Sequence, residues 1–177
     1  MKHIISKTLF LIFCVSQLNA QTKKEIDNGI FVTFPVDPNY TTTPTVSNYA
    51  AKTESCLFMV IIQRDVIPNY AEYVKARQKW TDAEIDKVES AFLDNAVKGK
   101  LDYTGNKGTV SIIKIGKYNA RKIDYSAINP ATGERGKRYT KLFLVRNKAV
   151  FFEVWSLSDN QTAIKEKDKF LNSIQAQ

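Results

Sequence analysis

The strongest constraint on the fold is the nine-residue run Ala149–Leu157 (AVFFEVWSL). Side chains of a strand alternate between faces. Phe151 and Trp155 therefore point to one side, and Val150, Phe152 and Val154 to the other. A strand apolar on both faces belongs inside a sheet that is covered on both sides. Arg138–Arg146 (RYTKLFLVR) precedes it across a short Asn147-Lys148 turn, and the two runs read as a hairpin. Ser158-Asp159 then offers an N-cap. The helix that follows, from about Asn160 to Ile174, would lay Ile164, Leu171 and Ile174 back on the sheet.

The remaining chain supplies the neighbours. Gln21–Asn28 is polar and reads as a flexible N-terminus, and Gly29–Phe34 (GIFVTF) is the first strand, stopped by Pro35. Asp37–Pro44, with two prolines and a threonine run, reads as a loop. Val46–Lys52 pairs with Ser55–Arg64 across Thr53-Glu54, and the unbroken apolar stretch of the latter marks an interior strand. Asn69–Trp80 is helical. A second helix opens at the Thr81/Glu84 capping box, places Ile85, Val88, Phe92 and Ala96 in one stripe, and ends at Gly99. Its early acids, Asp82, Glu84, Asp86 and Glu89, suit the helix dipole. Thr109–Ile115 and Tyr118–Ile128 form another hairpin about Gly116-Lys117, and Asn129–Gly136 is a long connection. The order is β-β-β-α-β-β-β-β-α. This is an α+β fold: a largely antiparallel sheet flanked by helices on both faces, an α/β/α sandwich, in one domain over residues 29–177.

Residues 1–20 read as an export leader. Lys2 and Lys7 precede the apolar stretch Thr8–Val15, and Leu18-Asn19-Ala20 ends in a small residue suited to cleavage. The stretch falls short of the ~20 residues that cross a bilayer as a helix, so no transmembrane anchor is expected after cleavage. Cys14 follows Phe13 rather than the small residue that a lipidation signal wants. The expected location is the periplasm or the exterior.

Removing the leader lowers the formal charge from +8 to +6 and takes away His3, the only histidine, and one of two cysteines. The mature chain then has no imidazole for a Ser-His-Asp or Cys-His nucleophile, and zinc sites built on Cys and His are nearly excluded. No cofactor and no metal site are expected. Cys56, inside CLFMVII, reads as a buried inert thiol.

Charge concentrates between Lys114 and Lys148, where ten basic residues face only Asp124 and Glu134. Lys117, Arg121, Lys122, Arg135, Lys137, Arg138 and Lys141 are the candidate binding residues, a basic surface for an acidic protein or another anionic envelope component. The plain alternative is a solvated face with lysines that discourage edge pairing. Tyr118, Tyr125 and Tyr139 interleave with this charge. Export and the lack of a nucleic-acid motif argue against nucleic acid. Glu153, between Phe151 and Trp155, would need a partner if buried, with Arg138 or Lys141 as candidates. A catalytic carboxylate pair would need Asp124 beside it, and no spacing supports that pair.

Two phrases carry a family resemblance, Gly29-Ile30-Phe31-Val32-Thr33-Phe34-Pro35 and Phe170-Leu171-Asn172-Ser173-Ile174. In these, and in element order, the chain resembles the PsbP/Mog-like proteins, including the DcrB-like exported bacterial group. The resemblance implies an α/β/α sandwich used as a binding or accessory module, with no shared catalytic residues to carry over. Metal binding proposed for some plant members uses histidine, which the mature chain lacks. The functional expectation is a non-enzymatic binding or accessory protein of the bacterial envelope. The alternative is a small-molecule or lipid carrier with an apolar cleft between sheet and helix, lined by Trp80, Trp155 and the tyrosines.

Overall fold

The computed structural model describes residues 21–102, 104–105, 107–128, 133 and 135–177. The leader read over residues 1–20, and most of the Asn129–Gly136 connection, lie outside the described residues. In chain order the elements are β1 (Thr22–Asp27), β2 (Ile30–Phe34), β3 (Asn39–Thr42), β4 (Val46–Lys52) and β5 (Cys56–Arg64). Helices α1 (Tyr70–Arg77) and α2 (Asp82–Asp102) follow, then β6 (Gly108–Ile115), β7 (Tyr118–Ile128), β8 (Arg135–Val145) and β9 (Lys148–Ser156). Helix α3 (Gln161–Asn172) and β10 (Gln175–Ala176) close the chain.

Strand β9 is the central member of a seven-stranded antiparallel sheet ordered β3-β4-β5-β9-β8-β7-β6. Its two faces serve two cores, as the alternation in AVFFEVWSL requires. Val150, Phe152 and Val154 meet Phe58 and Val60 of β5, Phe170 and Leu171 of α3, and Ile30, Val32 and Phe34 of β2. Phe151 and Ala149 meet Ile123 and Tyr125 of β7, Leu142 of β8, and Leu93, Val97 and Leu101 of α2. The α+β class, with helices on both faces of an antiparallel sheet, is therefore the observed one. The α3 layer also holds a small sheet, β1-β2-β10.

Several local readings change. The polar segment Gln21–Asn28, expected to be flexible, contains β1, which pairs antiparallel with β2 and buries Ile26. Lys23 and Glu25 are exposed and alternate with the more covered Thr22, Lys24 and Ile26, so a polar composition concealed a strand. Within the expected loop Asp37–Pro44, Asn39–Thr42 is an exposed edge strand on β4, four residues long between two prolines. The closing hairpin turns at Arg146-Asn147, one residue earlier than expected, because Lys148 pairs with Val145 and its ammonium reaches Asp27 at 2.8 Å. Arg146 takes the left-handed conformation there, φ 55°.

The helices differ most. Helix α2 starts with the expected box: Thr81 N–H donates to Glu84 Oε2 at 2.8 Å, and Glu84 N–H donates to Thr81 Oγ1 at 3.3 Å. It buries Leu93, Val97 and Leu101, however, and not the stripe through Ile85, Val88, Phe92 and Ala96. Its buried residues all lie in its second half, over the sheet. Its first half meets α1, where Phe92 sits edge-on to Tyr73 at 6.4 Å and Arg77 pairs with Glu89. Gly99 does not end it, because three more residues bury Leu101 against β7. That burial outweighs the ~1 kcal/mol cost of a helical glycine. Helix α3 is capped by Asn160, whose Oδ1 accepts from Ala163 N–H at 2.8 Å, and not by Ser158-Asp159. It buries Ala163, Phe170 and Leu171, while Ile164 is exposed and Ile174 only packs on the core margin.

Candidate binding groove between helix α2 and the sheet

A groove of about 870 Å³ lies beside the last turns of α2, between Ala96, Gly99 and Lys100 of the helix and residues of β5, β7, β8 and β9. Ala96, Tyr125, Ala127, Ile128 and Phe151 give it an apolar lining, and Lys100, Arg135 and Arg138 are its cations. No acidic residue lines it among the described residues. The volume lies within the range of small-molecule sites, ~300–1,000 Å³. Hollows beside α1 and α3 are smaller, about 520 and 350 Å³.

The position of each cation follows from the register. Arg138 of β8 stands opposite Trp155 of β9, so both point to the α2 side with Phe151 and Glu153. Its guanidinium lies 4.0 Å from the centre of the Trp155 ring, a cation–π stack that orients it. Its Nε is buried and has no hydrogen-bond partner, and among the described residues no carboxylate pairs with it.

Lys100 enters from the last turns of α2 and pairs with Glu153, which is buried to 2% exposure in the central strand. Thr140, not Arg138 or Lys141, stands directly across from Glu153. Burial, and then the charge on Arg138, pull the Lys100 ammonium down to about 8. A value of about 8 still leaves the ammonium mostly protonated at neutral pH. The Lys100 ammonium also lies 5.0 Å from the Phe151 ring centre.

The seven basic residues read from the sequence do not lie on one face. Arg135 and Arg138 line the groove. Arg121 shares the α2 face but is buried, and its Nε donates to Asp94 Oδ1 at 2.8 Å. Lys122 and Lys141 are cross-strand neighbours on the α3 face. There Lys122 pairs with Asp124, and Lys141 donates to Leu171 O at 2.8 Å. Lys137 pairs with Asp159, and Lys117 caps the β6–β7 turn over Tyr118. Alternation along β7 and β8 sends successive cations to opposite faces, which a count along the chain cannot register.

Asp124 faces the α3 side and Glu153 the α2 side, so the two carboxylates cannot act on one substrate. Of the aromatic residues expected in a cleft, Tyr125 lines the groove and Trp155 underlies Arg138, whereas Trp80 packs on Tyr73 beside α1. Lys100 was missed. Its signal was its position between Val97 and Leu101 at the rim of an apolar stripe, where a long cation can reach a buried carboxylate.

No family model matches the chain, and no curated protein does. Solved structures similar to it include a Bacteroides thetaiotaomicron protein at 14% identity and a TM-score of 0.49, covering 89% of this chain. This chain spans only 49% of that one. LpqN of Mycobacterium tuberculosis, described as involved in cell envelope biogenesis, is similar at 12% identity and a TM-score of 0.47. That match covers 88% of this chain and 89% of LpqN. Among the described residues no helix is long and apolar enough to cross a membrane.

Proposed function

We propose that this chain is an exported, non-enzymatic binding protein of the bacterial envelope, of PsbP/Mog-like type, that holds an amphipathic small molecule in the α2 groove. The groove itself carries this reading: about 870 Å³, apolar walls and a few convergent polar groups. The leader-like first 20 residues support export. The mature chain's lack of histidine supports a binding role over an acid–base or nucleophilic one.

A second reading keeps the accessory role but places it on the α3 face. Lys114, Lys122, Lys141 and Lys167 border a hollow of about 350 Å³ beside Asp168, and burial and then Lys122 lower the Lys141 ammonium. An acidic protein partner would meet this side.

Native mass spectrometry of the protein taken gently from its own envelope fraction separates the two. A bound small molecule supports the groove. A second polypeptide, lost on charge reversal at Lys122 and Lys141, supports the α3 face. A bare chain that also fails to take up an apolar probe would sink the carrier reading.

A further inference from the structure

The cations of the groove have a chemistry of their own. Lys100 and Arg138 both line it, near enough for the charge on Arg138 to act on Lys100, and Glu153, the buried carboxylate of β9, is engaged by Lys100. Arg138 is therefore left with an uncompensated charge among the described residues, on a guanidinium whose Nε is already buried without a partner. A desolvated donor with no acceptor is costly, and a flat guanidinium held against an indole presents its remaining N–H groups in a fixed fork. Such a fork matches a carboxylate in two-point hydrogen bonding. Arg135 adds a second positive charge at the mouth. Ala96, Tyr125, Ala127, Ile128 and Phe151 give the lining an apolar side suited to a hydrocarbon, and Gln63, Thr104 and Ser126 add only neutral polar groups.

We infer that the ligand of the α2 groove is a free long-chain carboxylic acid, with its carboxylate held by Arg138 under the field of Lys100 and Arg135 and its chain along Phe151, Ala127 and Ile128. This rests on the groove being the ligand site. Charge complementarity selects the occupant: an anionic head cancels the charge on Arg138, and a neutral head does not.

The test uses the purified protein and a neutral naphthylamine dye that fluoresces in apolar surroundings. Dodecanoate and dodecanol, equal in chain length, compete for the dye. Dodecanoate should displace it at a concentration about tenfold lower, the lower end expected for hydrogen bonds to a charged group. Arg138→Gln should abolish that preference while the dye still binds. Arg135→Gln, at the more exposed rim, should reduce the preference by a smaller factor and provides the arm least dependent on refolding. Equal competition by acid and alcohol in the wild type would overturn the carboxylate inference and leave the groove standing. A failure of the dye and both competitors to bind would overturn the groove reading itself.

Discussion

Glu153, at the midpoint of the sheet, is neutralised by Lys100, which reaches it from the other layer of the sandwich. The contact ties α2 to the central strand beside Phe151, where a carboxylate alone would be expensive. The two residues are 53 positions apart in the chain.

Removing one member of this pair should cost far more than removing both. Lys100→Met leaves a buried, uncompensated carboxylate and is expected to destabilise the fold by about 3 kcal/mol. The double variant Lys100→Met/Glu153→Leu should recover most of that loss. Urea unfolding of the three proteins checks this; a double variant as unstable as Lys100→Met would show that the pair is not the cause.

Cys56 should be silent in the native state and visible on unfolding. It is fully buried, its Sγ donates toward Ala163 O at 3.6 Å, and burial, with Glu166 adding, pushes its thiol from 9.0 up to about 11. An aromatic disulfide reagent at pH 8 should therefore react only at the rate of opening. The folded chain holds the thiol proton more tightly than the unfolded one between these values. The stabilisation is thus complete below pH 9 and fades as pH rises toward 11. The difference between wild type and Cys56→Ala across that range isolates it.

Two glycines should respond in opposite directions. A Cβ on Gly136 would overlap the Trp155 indole nitrogen, so Gly136→Ala should destabilise by ~1–3 kcal/mol and shift the tryptophan emission. Gly99 is helical with open space about it, so Gly99→Ala should stabilise by ~0.5–1 kcal/mol. Thermal melts followed by fluorescence report both.

Phe170 should matter far more than Ile164 on the same helix. Its ring lies 5.2 Å from those of Phe34 and Phe58, bridging the small sheet and the large one. Phe170→Ala is expected to cost ~3–5 kcal/mol, and Ile164→Ala, on an exposed position, under ~0.5 kcal/mol. Equal losses in denaturant unfolding would contradict the packing.

The strands were legible wherever alternation was strong. The bounds of β4 and β7 and the two faces of β9 follow from residue order alone, because a period of two assigns each side chain a face without reference to any other element. Helices yielded less. An apolar stripe states which side of α2 is sticky but not whether α1 or the sheet will cover it, and α1 took Phe92 while the sheet took Leu93. Strand β1 was hidden because four of its six residues are charged and only its pairing with β2 reveals it.

The sequence by itself determined the α+β class, the central place of Ala149–Leu157, the lack of histidine after residue 3 and the need of Glu153 for a partner, all properties of local order and composition. Tertiary structure decided the rest: that Lys100 is that partner, that the basic residues divide between two faces, and that α2 leaves a cationic groove. The physical reason is that ion pairs and grooves form between elements distant in the chain. Their geometry depends on how a helix crosses a sheet, and no spacing within either element encodes that crossing.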